Sequence, residues 1–124
     1  MEFENLPNDF EVSYRFFAEA EGGRRNQTFY QGYRCDWIYA DFEKSEPQQS
    51  WMIWPVFLDP NGEFVTEGSE VPISGKAQMM IVDKELRRSL HRGRVRLGVK
   101  GFFVEGLKKV AEATVVRVVD LLRD

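Results

Sequence analysis

Apolar and polar residues alternate with a period of two along much of the chain. In residues 10–20 one parity is occupied by Phe10, Val12, Tyr14, Phe16, Ala18 and Ala20, and the other includes Glu11, Ser13, Arg15 and Glu19. This period is typical of a strand with one buried face. Extended to later segments, the alternation predicts a set of interior residues: Val12, Tyr14, Phe16, Ile73, Met79, Val95, Leu97 and Val99.

Five further segments have the composition of strands. They are the aromatic-rich residues 35–42, residues 51–58, 71–82 and 94–100, and the β-branched residues 110–122. Residues 51–58 are apolar on both parities, which predicts a strand covered on both sides. In the last segment the apolar parity shifts between Val115 and Val116, which indicates a bulge or a strand buried on both faces.

Turn-forming residues separate these segments. Pro60, Asn61 and Gly62 predict a hairpin, and the polar residues 43–50, with Pro47, predict a loop. Residues 83–93 alone have a helix-like composition, and we expect one or two turns that stop at Gly93. Six strand-like segments predict an all-β barrel or sandwich, and a barrel has no exposed edge strands.

Length and composition predict one domain, a β-barrel over residues 10–124 preceded by a flexible tail over residues 1–9. The chain has 124 residues and a formal net charge of −3, so strong non-specific binding to nucleic acid or anionic membrane is not expected. The acidic amino terminus has no hydrophobic signal region, and the single cysteine, Cys35, fits a reducing compartment. Both features predict a cytoplasmic protein. With one Cys and one His, we expect no metal site and no other cofactor.

Candidate catalytic groups are few. Residues 74–77, SGKA, lack the earlier glycine and the Ser or Thr of a phosphate-binding loop, so GTP binding is not expected. His91 lies in a basic, polar stretch, which favours an exposed loop histidine over a general base. Cys35 follows Arg34, yet its aromatic neighbours favour a packing role over an activated thiol. These residues predict a protein that is not an enzyme.

Positive charge is concentrated between Lys84 and Lys100. This segment carries +6, so the rest of the chain carries −9. The segment is either a solvated face or a surface that attracts an anionic partner. Its basic residues are Lys84, Arg87, Arg88, Arg92, Arg94, Arg96 and Lys100.

Two glycine-arginine corners, in "EGGRRNQTFYQGYRCDW" at 21–37, and the stretch "VEGLKKVAEATVVRVVDL" at 104–121 resemble the third domain of translation elongation factor Tu. The resemblance covers about residues 8–122 and implies a closed six-stranded antiparallel barrel without GTPase activity. In that family the domain holds the T-stem of aminoacyl-tRNA. The resemblance matches Arg24 to an RNA-contacting arginine and Glu105 and Gly106 to the final hairpin. It places Asp36 where the family has a glutamine.

Two classes of partner follow from these observations. The first class is a protein. It is either a component of the translation apparatus or a partner of the factor that this chain intercepts as an adaptor by mimicking the factor. The alternative class is tRNA or another structured RNA. Asp36 and the negative net charge favour a protein partner. Arg24, Glu105 and the basic segment are compatible with an RNA partner. Arg24 and Arg34 would otherwise brace the barrel corners. The candidate binding residues are Arg24, Arg34, Asp36, Arg87, Arg88, Arg92, Arg94, Arg96, Glu105 and Gly106.

Overall fold

The computed structural model describes residues 3–26, 28–42 and 49–123. Within these residues the chain forms a closed barrel of six antiparallel strands, as the sequence predicted. The strands are β1 Phe10–Phe16, β2 Asp36–Tyr39, β3 Trp51–Leu58, β4 Ser74–Ile81, β5 Lys100–Glu105 and β6 Lys108–Val118. Around the barrel they follow the order β1-β4-β3-β2-β5-β6, and pairing of β6 with β1 closes it.

The barrel interior is aromatic. On β1, alternate side chains point inward, and the Tyr14 ring lies edge-on to Phe57 with centroids 5.1 Å apart. Farther along, the rings of Phe16 and Phe29 stack at 3.7 Å. This interior layer, contributed by every strand, includes Phe10, Val12, Tyr14, Phe16, Trp37, Tyr39, Ile53, Phe57, Ala77, Met79, Phe103, Ala111, Ala113 and Val115.

The large Trp37 indole fits because β5 has a glycine beside it. A Cβ atom at Gly101 would lie 2.2 Å from the Trp37 ring, which no real contact allows. Glycine at a strand position usually marks a close approach of this kind. The barrel therefore accommodates a full indole on β2 by omitting a side chain from the neighbouring strand.

Besides three single-turn 3₁₀-helices at Phe3–Asn5, Glu19–Glu21 and Ala40–Phe42, the described residues contain one longer helix, between β4 and β5. It begins as an α-helix over Lys84–Leu86, widens to a π-helix over Arg87–His91 and returns to an α-helix over Arg92–Arg94; we call the whole of 84–94 α1. The Asp83 carboxylate caps its start by accepting hydrogen bonds from the backbone N–H groups of Glu85 and Leu86. The helix is longer than the one or two turns predicted, and it runs one residue past Gly93.

Two residues predicted to lie inside the barrel are exposed. Leu97 is 70% exposed because α1 extends to Arg94 and the chain then turns at 97–98 before β5 begins. The apparent alternation over 94–100 therefore does not belong to a strand. Ile73 is 58% exposed, since it precedes the first residue of β4. Of the remaining predicted interior residues, Val99 is half-buried against the core and the others are buried.

The predicted turns and bulge are present. Backbone bonds join Asp59 and Glu63 across the turn after β3, and Leu58 bridges to Phe64. On β6 the register against β1 passes from Val115 to Arg117, leaving Val116 as the extra residue of a bulge. The predicted loop over 43–50 lies mostly outside the described residues.

Residues 3–9, part of the segment expected to be a tail, lie against the barrel. Phe3 is buried, with its ring 5.7 Å from that of Phe64, and Asp9 is completely buried. Asp9 extends the β1 pairing, because its N–H donates to the carbonyl of Met79. No helix in the described residues is long and apolar enough to cross a membrane.

Candidate functional site

Arg24 is bound within its own corner of the barrel. Its guanidinium donates from Nε to the carbonyl of Asn26 and from Nη2 to the carbonyl of Thr28, both at 2.8 Å. Nη1 donates to the Glu105 carboxylate at 2.8 Å, and the guanidinium carbon lies 4.1 Å above the centroid of the Phe29 ring. All three guanidinium nitrogens therefore have partners inside the chain.

Glu105 joins the two glycine-arginine corners. It ends β5 beside Gly106, which takes a φ of 60° in the two-residue turn to β6. Its Oε2 accepts hydrogen bonds from both Arg24 and the Tyr33 hydroxyl. Burial, aided by the Glu105 hydrogen bond, raises the pKa of Tyr33 well above its usual value, so the hydroxyl stays protonated and keeps donating. Glu105 thus connects the first corner, through Arg24, with the second, through Tyr33.

The outer side of β2, β3 and β4 carries a second group of candidates. Arg34 lies over Trp54, with the guanidinium carbon 4.2 Å from the ring centroid. In the strand register Asp36 is opposite Met52, and Trp54 is opposite Met80. We call Arg34, Asp36, Met52, Trp54 and Met80 the Trp54 face.

This face is apolar and open to solvent in part. Met52 is 52% exposed, and Trp54 and Met80 are half-buried. The prediction that β3 is covered on both sides is therefore wrong at Met52, although Val56 farther along the same side is buried. The apolar residues on the outer side of β3 therefore form a partly exposed surface at one end of the strand rather than a second core.

The basic residues of α1 point in different directions. Arg87 donates to the Asp9 carboxylate at 2.8 Å and to the carbonyls of Asp120 and Arg123. Arg92 donates to the carbonyls of Leu121 and Arg123 at 2.9 and 2.8 Å. Both arginines therefore fasten the segment 120–123 against the helix.

Arg94 and Arg96 do not share a strand face, because no strand forms there. Arg94, at the end of α1, forms an ion pair with Asp41, and its guanidinium carbon lies 4.6 Å from the Tyr39 ring centroid and 4.3 Å from that of Phe42. Arg96 is exposed. The five candidate arginines of the segment are consequently not assembled into one surface.

Part of the segment does line a cleft between α1 and the segment 120–123. We call it the α1 cleft; its volume is about 490 Å³. Five basic side chains border it: Lys84, Arg87, Arg88, Arg92 and Arg123. Asp9 and Asp120 contribute two carboxylates to the same lining.

His91 is buried, contrary to the prediction of an exposed loop histidine. It is 1% exposed, and its Nδ1 lies 2.7 Å from the Tyr39 hydroxyl oxygen. Burial lowers the pKa of His91 to about 4, so the ring is neutral at pH 7. Helical spacing was the sequence signal for this burial, since His91 lies four residues before Val95, just past the end of α1, and both are buried.

Cys35 packs in the core, as predicted. It is 5% exposed, and burial raises the pKa of its thiol well above the usual value. The thiolate that nucleophilic chemistry requires is therefore disfavoured. Among residues 3–26, 28–42 and 49–123, no group of three or more His, Cys, Asp or Glu is placed to hold a metal ion.

No protein-family model matches the chain, and no curated protein matches it either.

Sequence reasoning missed two contributors to these surfaces. Asp9 was assigned to a tail, yet it is the buried acceptor that fixes Arg87. Met52 and Trp54 were assigned to a buried strand, yet they form the exposed part of the Trp54 face. Neither contact could be predicted from the sequence, because Arg87 and Arg34 lie on segments distant from Asp9 and Trp54.

Proposed function

We propose that this chain is a non-catalytic, cytoplasmic binding module, a barrel of the factor Tu third-domain type, that binds a protein partner through the Trp54 face. The observation that carries the proposal is the group formed on the outside of the barrel by exposed Met52 and Arg34 and half-buried Trp54. The free, buried thiol of Cys35 fits a reducing compartment.

The residue types on this face are those enriched where proteins meet. Trp, Met and Arg are over-represented in interface cores, and Trp and Arg carry much of the binding energy measured by alanine scanning. Here the Trp54 ring is supported by Arg34 on one side and by β3–β4 pairing beneath it. A platform held in this way loses little conformational entropy when a partner covers it.

Electrostatics favour a protein over RNA at this face. Asp36 is the register partner of Met52, which stands two residues before Trp54 on the same side of β3. A carboxylate on this face repels a phosphate backbone and offsets the attraction of Arg34, and the net charge of −3 gives no further attraction.

The link to translation rests on the sequence resemblance at the two corners and the final hairpin. Arg24, matched to the family's RNA-contacting arginine, has all three guanidinium nitrogens hydrogen-bonded within the chain. This arrangement supports a barrel that keeps the corners as scaffold and binds a protein of the translation apparatus instead of the T-stem.

Structured RNA is the second candidate. It is supported by the exposed basic side chains of the segment, Arg88, Arg96 and Lys100. An RNA complex would weaken steeply with salt, by roughly 0.7 to 0.9 log units in affinity per log unit of salt for each phosphate neutralised. A complex with a protein at an apolar face would depend on salt much less.

Affinity capture with matched variants tests the proposal. The immobilised protein, Trp54→Ala and Leu97→Ala are each incubated with lysate, with and without nuclease, and the bound proteins are quantified by mass spectrometry. Leu97 is an exposed apolar residue outside the Trp54 face, so its variant controls for general stickiness. We expect a nuclease-resistant set of proteins that Leu97→Ala retains and Trp54→Ala loses.

Three results would contradict the proposal. Capture that survives Trp54→Ala would show that the face is not the interface, and capture abolished by nuclease would favour RNA. Loss in both variants would indicate non-specific adsorption. The translation link is tested separately, by binding to purified ribosomes and translation factors, and absence of any such complex would remove that part alone.

A further inference from the structure

We propose that the α1 cleft is a binding site for a small organic phosphomonoester. This site goes beyond the proposed function, because none of the five residues of the Trp54 face lines it. The phosphate would be held by the basic residues of α1, and the organic body would lie against the apolar part of the cleft.

The base of the cleft has two arginines that are already fixed in place. Arg87 is held by the Asp9 carboxylate and by the carbonyls of Asp120 and Arg123, and its side chain is 16% exposed. Arg92 is held by the carbonyls of Leu121 and Arg123. Fixed guanidinium groups lose little entropy when they donate to a ligand, and a guanidinium has five N–H donors, more than Arg87 uses here.

The rim of the cleft has two basic side chains that are not engaged. Lys84 and Arg88 are exposed, and within the described residues neither forms a hydrogen bond or an ion pair. They lie four positions apart on α1, which places them on the same side of the helix. Both can therefore move toward an anion that enters the cleft.

The balance of charge favours a multiply charged anion. Among the residues that the structure describes, five basic side chains line the cleft against the two carboxylates of Asp9 and Asp120. The Asp9 carboxylate is already satisfied by Arg87 and by the backbone N–H of Ile81 at 2.9 Å, and Asp120 forms an ion pair with Arg123. Of the other three basic side chains, Arg92 donates to the carbonyls of Leu121 and Arg123. Lys84 and Arg88 have no counter-ion within the described residues, and their two charges match those of a phosphomonoester.

The size and remaining lining favour an organic molecule over a bare ion. A volume of about 490 Å³ lies within the range of roughly 300–1,000 Å³ typical of small-molecule sites. Pro7 and Ile81 provide apolar surface in the same cleft. A ligand with a phosphate and an apolar body would use both kinds of lining.

The proposal is tested by titrating the full chain with phenyl phosphate at constant ionic strength. Binding is monitored by ¹⁵N–¹H correlation spectra. Inorganic phosphate, benzoate and benzyl alcohol serve as comparison ligands, since they lack the apolar body, the second charge and any charge, respectively. The test variant is Lys84→Gln with Arg88→Gln, and the control is Arg96→Gln with Lys100→Gln. The control removes the same charge from exposed positions outside the cleft, and thermal melts check that both fold.

We expect phenyl phosphate to shift the amide signals of α1 and of residues 120–123 and to bind more tightly than the other three ligands. The Lys84→Gln with Arg88→Gln variant should bind phenyl phosphate about tenfold or more weakly than the parent, because charge-assisted hydrogen bonds are removed. The control variant should bind within about twofold of the parent, since charges outside the cleft are screened. Absence of shifts, equal loss in both variants, or equal affinity for benzoate would overturn the proposal, whatever the Trp54 face binds.

Discussion

Arg87 donates a hydrogen bond from Nε to the carboxylate of Asp9, 78 positions away, at 2.8 Å. The Asp9 side chain is 1% exposed, and its other oxygen accepts from the backbone N–H of Ile81. This pair connects the segment before β1 with α1 and, through the carbonyls that Arg87 also binds, with the segment 120–123. One buried carboxylate therefore joins the end of β4 to α1 and positions the arginine that holds the walls of the α1 cleft.

Replacing Asp9 with Ala should destabilise the protein strongly. The change leaves the Arg87 guanidinium without its counter-ion and the Ile81 N–H without an acceptor. Breaking a buried ion pair by removing one partner costs about 3–5 kcal/mol. Denaturant unfolding of Asp9→Ala measures the loss, and Glu112→Ala is the control, because its pair with Arg15 is exposed and should be worth about 1 kcal/mol or less. Equal losses in the two variants would contradict the role given to Asp9.

The exposed position of Leu97 leads to a second prediction. Leu97→Ala should change the free energy of unfolding by about 0.5 kcal/mol or less, because the side chain is 70% exposed. Phe103→Ala should cost about 3–5 kcal/mol, since Phe103 is fully buried among the rings of the barrel. Thermal or denaturant melts of the two variants make the comparison. A large loss for Leu97→Ala would instead restore the strand predicted over 94–100.

The sequence predicted the barrel well where strands alternate, and poorly where the chain leaves them. The inward residues of β1 follow from parity alone. The parity shift at Val116 left a bulge and a strand buried on both faces as alternatives, and the structure shows the bulge. Leu97 was misplaced because a short helix end, a turn and a strand start can reproduce an alternating pattern by chance. Spacing along the chain does not distinguish these cases; the tertiary position of α1 does.

Buried His91 predicts a pH dependence. Burial is the main cause of its lowered pKa of about 4, which Arg94 also lowers and which Asp83 and Asp9 raise. Between pH 6.5 and 4 the unfolded chain binds a proton that the folded protein does not, so stability falls as the pH is lowered through this range. The loss should reach about 3 kcal/mol.

Urea unfolding of the parent and of His91→Gln at pH 7.5, 5.5 and 4.5 measures this contribution. The variant, which has no group titrating in this window at position 91, should lose less stability between pH 7.5 and 4.5. Parallel pH profiles for the two proteins would show that His91 does not titrate as its burial requires.

The candidate site was less predictable than the fold. The basic segment was visible as a run of charge, but its division between Asp9, Asp41 and the carbonyls of 120–123 was not. An arginine can bind any acceptor that the fold brings near it. The distance in space between the two groups cannot be predicted from their spacing in the sequence. The Gly-Gly-Arg and Gly-Tyr-Arg corners were identified as special, yet Glu105 as their common link required the structure.

The protein should neither bind nor hydrolyse GTP. Residues 74–77, the nearest sequence to a phosphate-binding loop, lie at the start of β4 rather than between a strand and a helix. Calorimetric titration with GTP and Mg²⁺ and a phosphate-release assay check this expectation. Because the α1 cleft is proposed to take phosphates, the Lys84→Gln with Arg88→Gln variant is measured as well. Micromolar affinity for GTP that persists in this variant would contradict the expectation.

Arg94 and Arg96 should respond differently to charge reversal, although they stand two positions apart. Arg94→Glu removes the ion pair with Asp41 and the contacts with the Tyr39 and Phe42 rings, and it sets two carboxylates side by side. We expect a loss of about 1–2 kcal/mol in the free energy of unfolding. Arg96→Glu, at an exposed position, should leave stability nearly unchanged. Thermal melts of the two single variants decide the matter. If both melt like the parent, the Arg94 contacts contribute nothing, and if both are destabilised alike, the separation of the two residues by the end of α1 is wrong.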